Sequence, residues 1–480
     1  MKKLFTIVIV TMTLIVTFNT AWAGIDQILA KSGSQAINGV VIKDLTNGRT
    51  LYQRDANRLF IPASSLKIYT GAAALIILGP KYHFDTGIYT DAPLVNPGIL
   101  KGNIYVTFGG DPSLTSADIM KLMGVLKEQN ITHIQGNVIL VPPPYTTDTY
   151  SPGVLEKDHI HPFGAPITPV IVDQNAFTFT IRSTRPGQLA VIKVADPSGH
   201  IHVINQLYTK KTGVRACGLS YHVDAMNQLL VKGCIASQKS PYFEHIALVN
   251  SMSFALGVLQ KSLSFWQIGA SGHIMVGSLP SSTKLIGVHE SDPLPLLLAQ
   301  TLKPSNNIFA NALFLKVGST YWHQTATWQS SGLAVKAILQ KYAGVSMESA
   351  VIVDGAGLSR NDRVTPMQAV QLLTYMSKNF ALSDDFISAL PVPGQKGTLI
   401  HRHMAPQALQ QHVHAKTGTM KGVVVLTGYM PTANHHTLAF SIMSNSTSPN
   451  LSTSDKIPMS SWKYRELEDA ICRYLIQSNV

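Results

Sequence analysis

The sequence predicts an α/β domain interrupted by a long β-rich insertion, and three observations predict it. A hairpin and an apolar helix come first; short strands broken by proline and glycine fill residues 88–288; helices, two strands and a closing helix then follow. Helix-and-strand texture that resumes after a run of strands marks an insertion within one domain.

Each element has a local reason. Lys2 and Lys3 precede an apolar run from Leu4 to Phe18, and Ala21-Trp22-Ala23 supplies small residues at a signal-peptidase spacing. Residues 1–23 are expected to be a signal peptide, with the mature chain beginning at Gly24. The run is too short and too rich in threonine to span a membrane comfortably. Val40-Val41-Ile42 and Thr50-Leu51-Tyr52 flank the turn pair Asn47-Gly48 and predict a hairpin. From Pro62 a helix carries Leu66, Tyr69, Ala73, Leu75 and Ile76, and Gly79-Pro80 stops it. Within the insertion, Ile104-Tyr105-Val106, Val138-Ile139-Leu140-Val141 and Phe177 to Ile181 read as strands. Helical periodicity returns at 296–301, 308–317, 331–342 and 365–377. Strands at Val423 to Tyr429 and Thr437 to Met443 precede a closing helix from about Ser461 to Ile476.

Composition narrows the class. At 480 residues, 45% hydrophobic and 13% charged, the chain is long enough for two or three folded domains and too apolar to be disordered. Its net charge of +12 suits anionic envelope polymers or lipid head groups, while no lysine/arginine run is dense enough for a nucleic-acid arm. A scattered, solvated basic surface reads equally well. Cys217 and Cys234 bracket a short loop beside Gly218 and Gly233, and an exported chain would pair them. Such a bridge contributes about 3 kcal/mol. Cys472 lies in the amphipathic closing helix and is expected to be buried.

Three short motifs carry the chemistry. Ser64-Ser65-Leu66-Lys67 puts a serine and a lysine at i and i+3 on a first helical turn, so both share a face. A neutral lysine can take the serine proton, provided burial or a second cation brings its pKa down from ~10.4 toward neutrality. Ser281/Lys284 and Ser460/Lys463 have the same spacing. Ser305-Asn306-Asn307 places Ser305 and Asn307 two apart, which reach one cleft only from a turn, and Pro304 fits one. Ser359/Asn361, Ser377/Asn379 and Ser448/Asn450 match that pattern too. Lys416-Thr417-Gly418-Thr419 runs into the apolar strand from Val423, where an edge could pair with a peptide and attract its carboxylate. Lys416 is also a candidate for the cation that depresses Lys67. The decoy Lys211-Thr212-Gly213 is followed by no strand. Only Ser64, Ser305 and Lys416 combine all three contexts in order, the order of penicillin-binding proteins and class A β-lactamases.

With these motifs the chain resembles a family. Pro62 to Lys67, Phe108-Gly109-Gly110-Asp111-Pro112-Ser113-Leu114, Asp354-Gly355-Ala356-Gly357-Leu358-Ser359-Arg360 and His414 to Thr419 resemble class C low-molecular-mass penicillin-binding proteins. These are the D-alanyl-D-alanine carboxypeptidase/endopeptidases of the penicillin-binding protein 4 (DacB) type. Gly397-Thr398-Leu399 with Arg402, and the pair Cys217 and Cys234, fit as well. The resemblance implies an α/β, β-lactamase/transpeptidase-like catalytic domain, an antiparallel sheet with helices, over 24–87 and 289–480. Two nested β-rich domains would interrupt it, over 88–107 with 190–288 and over 108–189. It implies Ser64 as nucleophile, Lys67 as base and Ser305 as proton relay. Asn307, Lys416, Thr417, Gly418 and Thr419 would bind substrate. Peptidoglycan peptides are the implied substrates and β-lactams the implied covalent inhibitors, with no cofactor and no metal. The chain departs from the family at Asn306, where aspartate is usual, and at Pro304.

Rival readings are a β-lactamase, a zinc hydrolase and a binding protein that has lost the chemistry. The insertion argues against the first. Among 17 histidines there is no H-E-x-x-H, and His159/His161, His401/His403, His412/His414 and His435/His436 lack a nearby acidic or cysteine set. All the side chains needed for catalysis are present, against the third. The basic surface leaves peripheral membrane contact open, and oligomeric state is not readable.

Overall fold

The computed structural model describes residues 23–480 except 34–35, 93–97, 146–148, 214–217, 239, 448–460 and 478–480. The expected signal peptide up to Trp22 lies outside the described residues, as does Cys217. The chain divides into two compact units. The first comprises Met1–Pro80, Leu298–Asn306 and Gly332–Val480; the second comprises Lys81–Leu297 and Asn307–Ser331.

In the first unit, five antiparallel strands form one sheet: β1 (Ala36–Asp44), β2 (Thr50–Arg54), β3 (His414–Met420), β4 (Val423–Pro431) and β5 (Thr437–Ser446). Their order is β3-β4-β5-β1-β2, so the early and late strands join at the β1/β5 pair and β3 lies at an edge. The predicted hairpin closes where Gly48 adopts φ 79° and donates to the Asp44 carbonyl, a left-handed turn that glycine tolerates. Residues of β4 and β5 are buried almost throughout, because helices cover both faces of the sheet. On one face Val40, Ile42, Leu426, Phe440 and Ile442 pack with Ile25 and Leu29 of the helix over 23–30. The same cluster takes Leu467, Ile471 and Leu475 of the closing helix Ser461–Gln477. Across the other face lies the helix Pro366–Lys378, opened by a Thr365/Gln368 capping box. It accepts the Tyr429 hydroxyl proton at the Leu373 carbonyl.

The second unit contains a five-stranded sheet and three three-stranded sheets around a single apolar core. The predicted strands appear as Ile104–Thr107, Val138–Val141 and Ala176–Arg182. Two helices that the strand-rich texture does not announce, Ser116–Glu128 and Ser251–Phe265, pack against each other in that core. Thr115 and Asp118 form a capping box at the first, and Asn250 caps the second. Cys234 is disulfide-bonded, and Cys472 is a free, buried thiol in the other unit.

Candidate active site

Ser64 sits on a 3-10 turn, Ala63–Leu66, that runs directly into the helix Lys67–Leu78. Side chains three apart eclipse one another on a 3-10 turn, more closely than on the α-helical turn the sequence suggests. Lys67 Nζ accordingly lies 3.0 Å from Ser64 Oγ and also donates to the Ala356 carbonyl at 2.7 Å. Ala63, just before the serine, has φ 46°, a left-handed conformation that costs a non-glycine residue roughly 1 kcal/mol or more. The helix ends at Leu78 with Gly79 at φ 80°, as Gly79-Pro80 predicts.

Lys67 is fully buried, and that burial brings its pKa from 10.5 down to about 7, while Asp354 and Asp362 pull in the other direction. Asp354 is the organiser of this corner. Its buried carboxylate accepts the backbone N–H groups of Ala356, Gly357, Leu358 and Ser359, which turns the Ala356 carbonyl onto Lys67. Thr70 anchors the same loop by donating to the Gly355 carbonyl at 2.8 Å. Burial, and then the Asp354 charge, hold the Asp362 carboxyl well above the ordinary carboxylate range.

Ser305 occupies the turn between the helix ending at Leu302 and the one beginning at Asn307. It is a second left-handed non-glycine, φ 63°, so both serine-bearing turns store strain. Lys416 Nζ lies 2.9 Å from Ser305 Oγ and 2.9 Å from the Thr417 carbonyl. Burial and then the Lys67 charge push the Lys416 ammonium well below its usual pKa. Gly418 closes the geometry from the strand side. A methyl group there would collide with the Pro62 carbonyl and crowd the Ser65 N–H, so glycine lets β3 lie against the serine turn itself.

A cleft of about 310 Å³ opens over these groups, lined by Ser64, Ser305, Thr398, Arg402, Thr417, Thr419 and Arg465. Thr417 Oγ1 donates to Thr398 Oγ1 at 2.9 Å, and the Thr398 N–H is tied to the Lys303 carbonyl. Asn307 belongs to the second unit, where its amide donates to the Phe163 carbonyl at 2.9 Å. Asp354 opens one of the motifs that carry the family resemblance, whereas Asp362 and Arg465 belong to none. The D-G-x-G pattern at Asp354 signals a carboxylate-capped turn, whereas nothing around Arg465 signals the cleft. Among the described residues, His83, Asp85 and Glu290 could offer three metal-ligand atoms within 4.8 Å of one another; Asp85 and Glu290 are exposed and all three belong to the second unit.

A buried amine of lowered pKa, held against a serine hydroxyl beside an edge strand, is equipped for nucleophilic serine chemistry. Fold and cleft thus define an α/β protein built around a serine–lysine pair. The chain belongs to the D-Ala-D-Ala carboxypeptidase 3 (S13) family, which its residues 21–466 match. It is 31% identical over 409 residues to D-alanyl-D-alanine carboxypeptidase DacB of Haemophilus influenzae, covering 84% of each chain. The crystal structure of penicillin binding protein 4 (dacB) from Haemophilus influenzae superposes with a TM-score of 0.84 at 28% identity, covering 95% of this chain and 99% of that one. A structure of that protein complexed with a novel β-lactam gives 0.78 at 29% identity, over 93% and 98% of the two chains. Both the family resemblance and the transpeptidase-like fold class are borne out.

Proposed function

We propose that the protein is a serine-type D-Ala-D-Ala carboxypeptidase/endopeptidase that acts on peptidoglycan stem peptides and crosslinks through an acyl-enzyme. The observation that carries this is the 3.0 Å approach of Lys67 Nζ to Ser64 Oγ in a cleft shared with Ser305, Thr417 and Thr419. Neutral Lys67 takes the Ser64 proton as Oγ attacks the carbonyl carbon of the penultimate D-Ala. The Ser64 and Thr419 backbone N–H groups hold the oxyanion, each worth ~3–4 kcal/mol in comparable sites. The C–N bond breaks as a proton passes through Ser305 to the departing amine. β3 pairs with the acyl-donor peptide. Water then attacks the ester, releases the acid and returns the proton to Ser64.

A β-lactam follows the same path to a stalled ester, a reading supported by the β-lactam complex of the Haemophilus relative. Action in the periplasm after export, with cleavage near Ala23, completes the proposal; among the described residues no helix is long and apolar enough to cross a membrane. Release of D-alanine from a peptide ending in D-Ala-D-Ala tests the reading: the native chain should release it and Ser64→Ala should not. Equal release by both would overturn it.

A further inference from the structure

Arg402 and Arg465 line the cleft, Lys67 and Lys416 lie buried behind its serines, and their surroundings distinguish them. Lys67 and Lys416 are fully buried, each with its amine on a serine hydroxyl and a backbone carbonyl. Arg402 is committed to the closing helix. It pairs with Glu468 at 2.9 Å and Asp469 at 2.6 Å, and donates to the Arg465 carbonyl at 3.1 Å. Arg465, one turn before those acids, is exposed, and its Nη2 reaches Thr419 Oγ1 at 3.4 Å. Its backbone is fixed by Arg402 while its guanidinium borders the cleft.

We propose that Arg465 is a specificity residue that reads the terminal carboxylate of the substrate, a role Lys416 is too deeply placed to fill alone. The inference rests on the D-Ala-D-Ala peptidase reading and names the group that recognises the leaving residue. The carboxylate lies between the Arg465 guanidinium and the Thr419 hydroxyl. Lys416 stays on Ser305, and Arg402, neutralised by Glu468 and Asp469, acts as a brace. Thr417 directs its hydroxyl proton to Thr398, so a guanidinium supplies donors that this threonine does not. A planar guanidinium also matches a carboxylate in two-point geometry.

The test compares two acylated tripeptides, one ending in D-Ala-D-Ala and one in D-Ala-D-alaninamide, on the native chain, Arg465→Met and Arg465→Lys. A charge-assisted bond lost on the free acid predicts a fall of about 10–100-fold in kcat/KM for Arg465→Met, carried mainly by KM. The amide should change less than about 3-fold on the same scale, and Arg465→Lys should recover part of the loss. Equal losses on acid and amide, or no loss on the acid, would overturn the proposal. Failure of the underlying reading looks different: the native chain would then cleave neither peptide.

Discussion

At the residue scale the proposed chemistry depends on keeping Lys67 neutral. Lys67 has its pKa near 7 because it is buried, so acylation should rise with pH through about 7 and level off above it. The Asp354 carboxylate favours the charged amine, which sets the sign of a test. Asp354→Asn should move that limb to lower pH, read as the pH dependence of penicillin acylation; an unmoved limb would remove Asp354 from the electrostatics of Lys67. The same burial governs stability. With the folded pKa near 7 and the unfolded one near 10.5, the unfolded chain binds more protons between those values. This residue therefore adds stability as pH rises across that window. Lys67→Met should abolish acylation, flatten that slope, and stabilise the fold at neutral pH by about 1–3 kcal/mol, measured by denaturant unfolding. That Ser64 and Lys67 share a face was legible from their spacing in the motif. The fine electrostatics were not, because Asp354 and Asp362 lie almost three hundred positions away and only folding brings them to Lys67.

At the element scale, the site is a meeting of two turns and an edge strand. Gly418 lets β3 touch the Ser64 turn, and Gly357, at φ 76°, lets the Asp354 loop pass beside Ala63 and Leu66. Gly418→Ala should separate strand from turn and lower the acylation rate at least 10-fold, since small misplacement of a nucleophile is costly. Gly357→Ala combines left-handed strain with a collision against the Ala63 carbonyl and should cost about 2–3 kcal/mol or more. Full acylation rates in both variants would show that neither close approach shapes the site. In the first unit the hairpin, the helix after Ser64, the strands from Val423 and Thr437 and the closing helix were readable because their apolar runs and stop signals agree: Gly79-Pro80 ends a helix and Asn47-Gly48 turns a hairpin. Hidden in the second unit were Ser116–Glu128 and Ser251–Phe265. Their caps, Thr115 with Asp118 and Asn250, are ordinary polar residues in a stretch dominated by strands and turns.

At the whole-molecule scale, the ends of the chain build one layer. Ile25 and Leu29 are buried against Ile471 and Leu475, so a mature chain beginning at Gly24 keeps this packing. Removing residues 24–33 exposes those partners and should destabilise the first unit by about 3–6 kcal/mol, at ~1.5–3 kcal/mol for each of the two buried aliphatic side chains. Unchanged thermal unfolding after that truncation would contradict the packing argument. The α/β class was legible because helices and strands resume after the insertion. The role of Arg465 was not, since a lone arginine on an amphipathic helix looks like any solvated charge until Arg402 and Thr419 frame it.

Mass spectrometry of the penicillin adduct tests the central claim most directly. Incubation with benzylpenicillin followed by proteolysis should place one intact penicilloyl group on the peptide containing Ser64, and Ser64→Ala should carry none. An adduct on another residue, or undiminished labelling and D-alanine release in Ser64→Ala, would contradict the account.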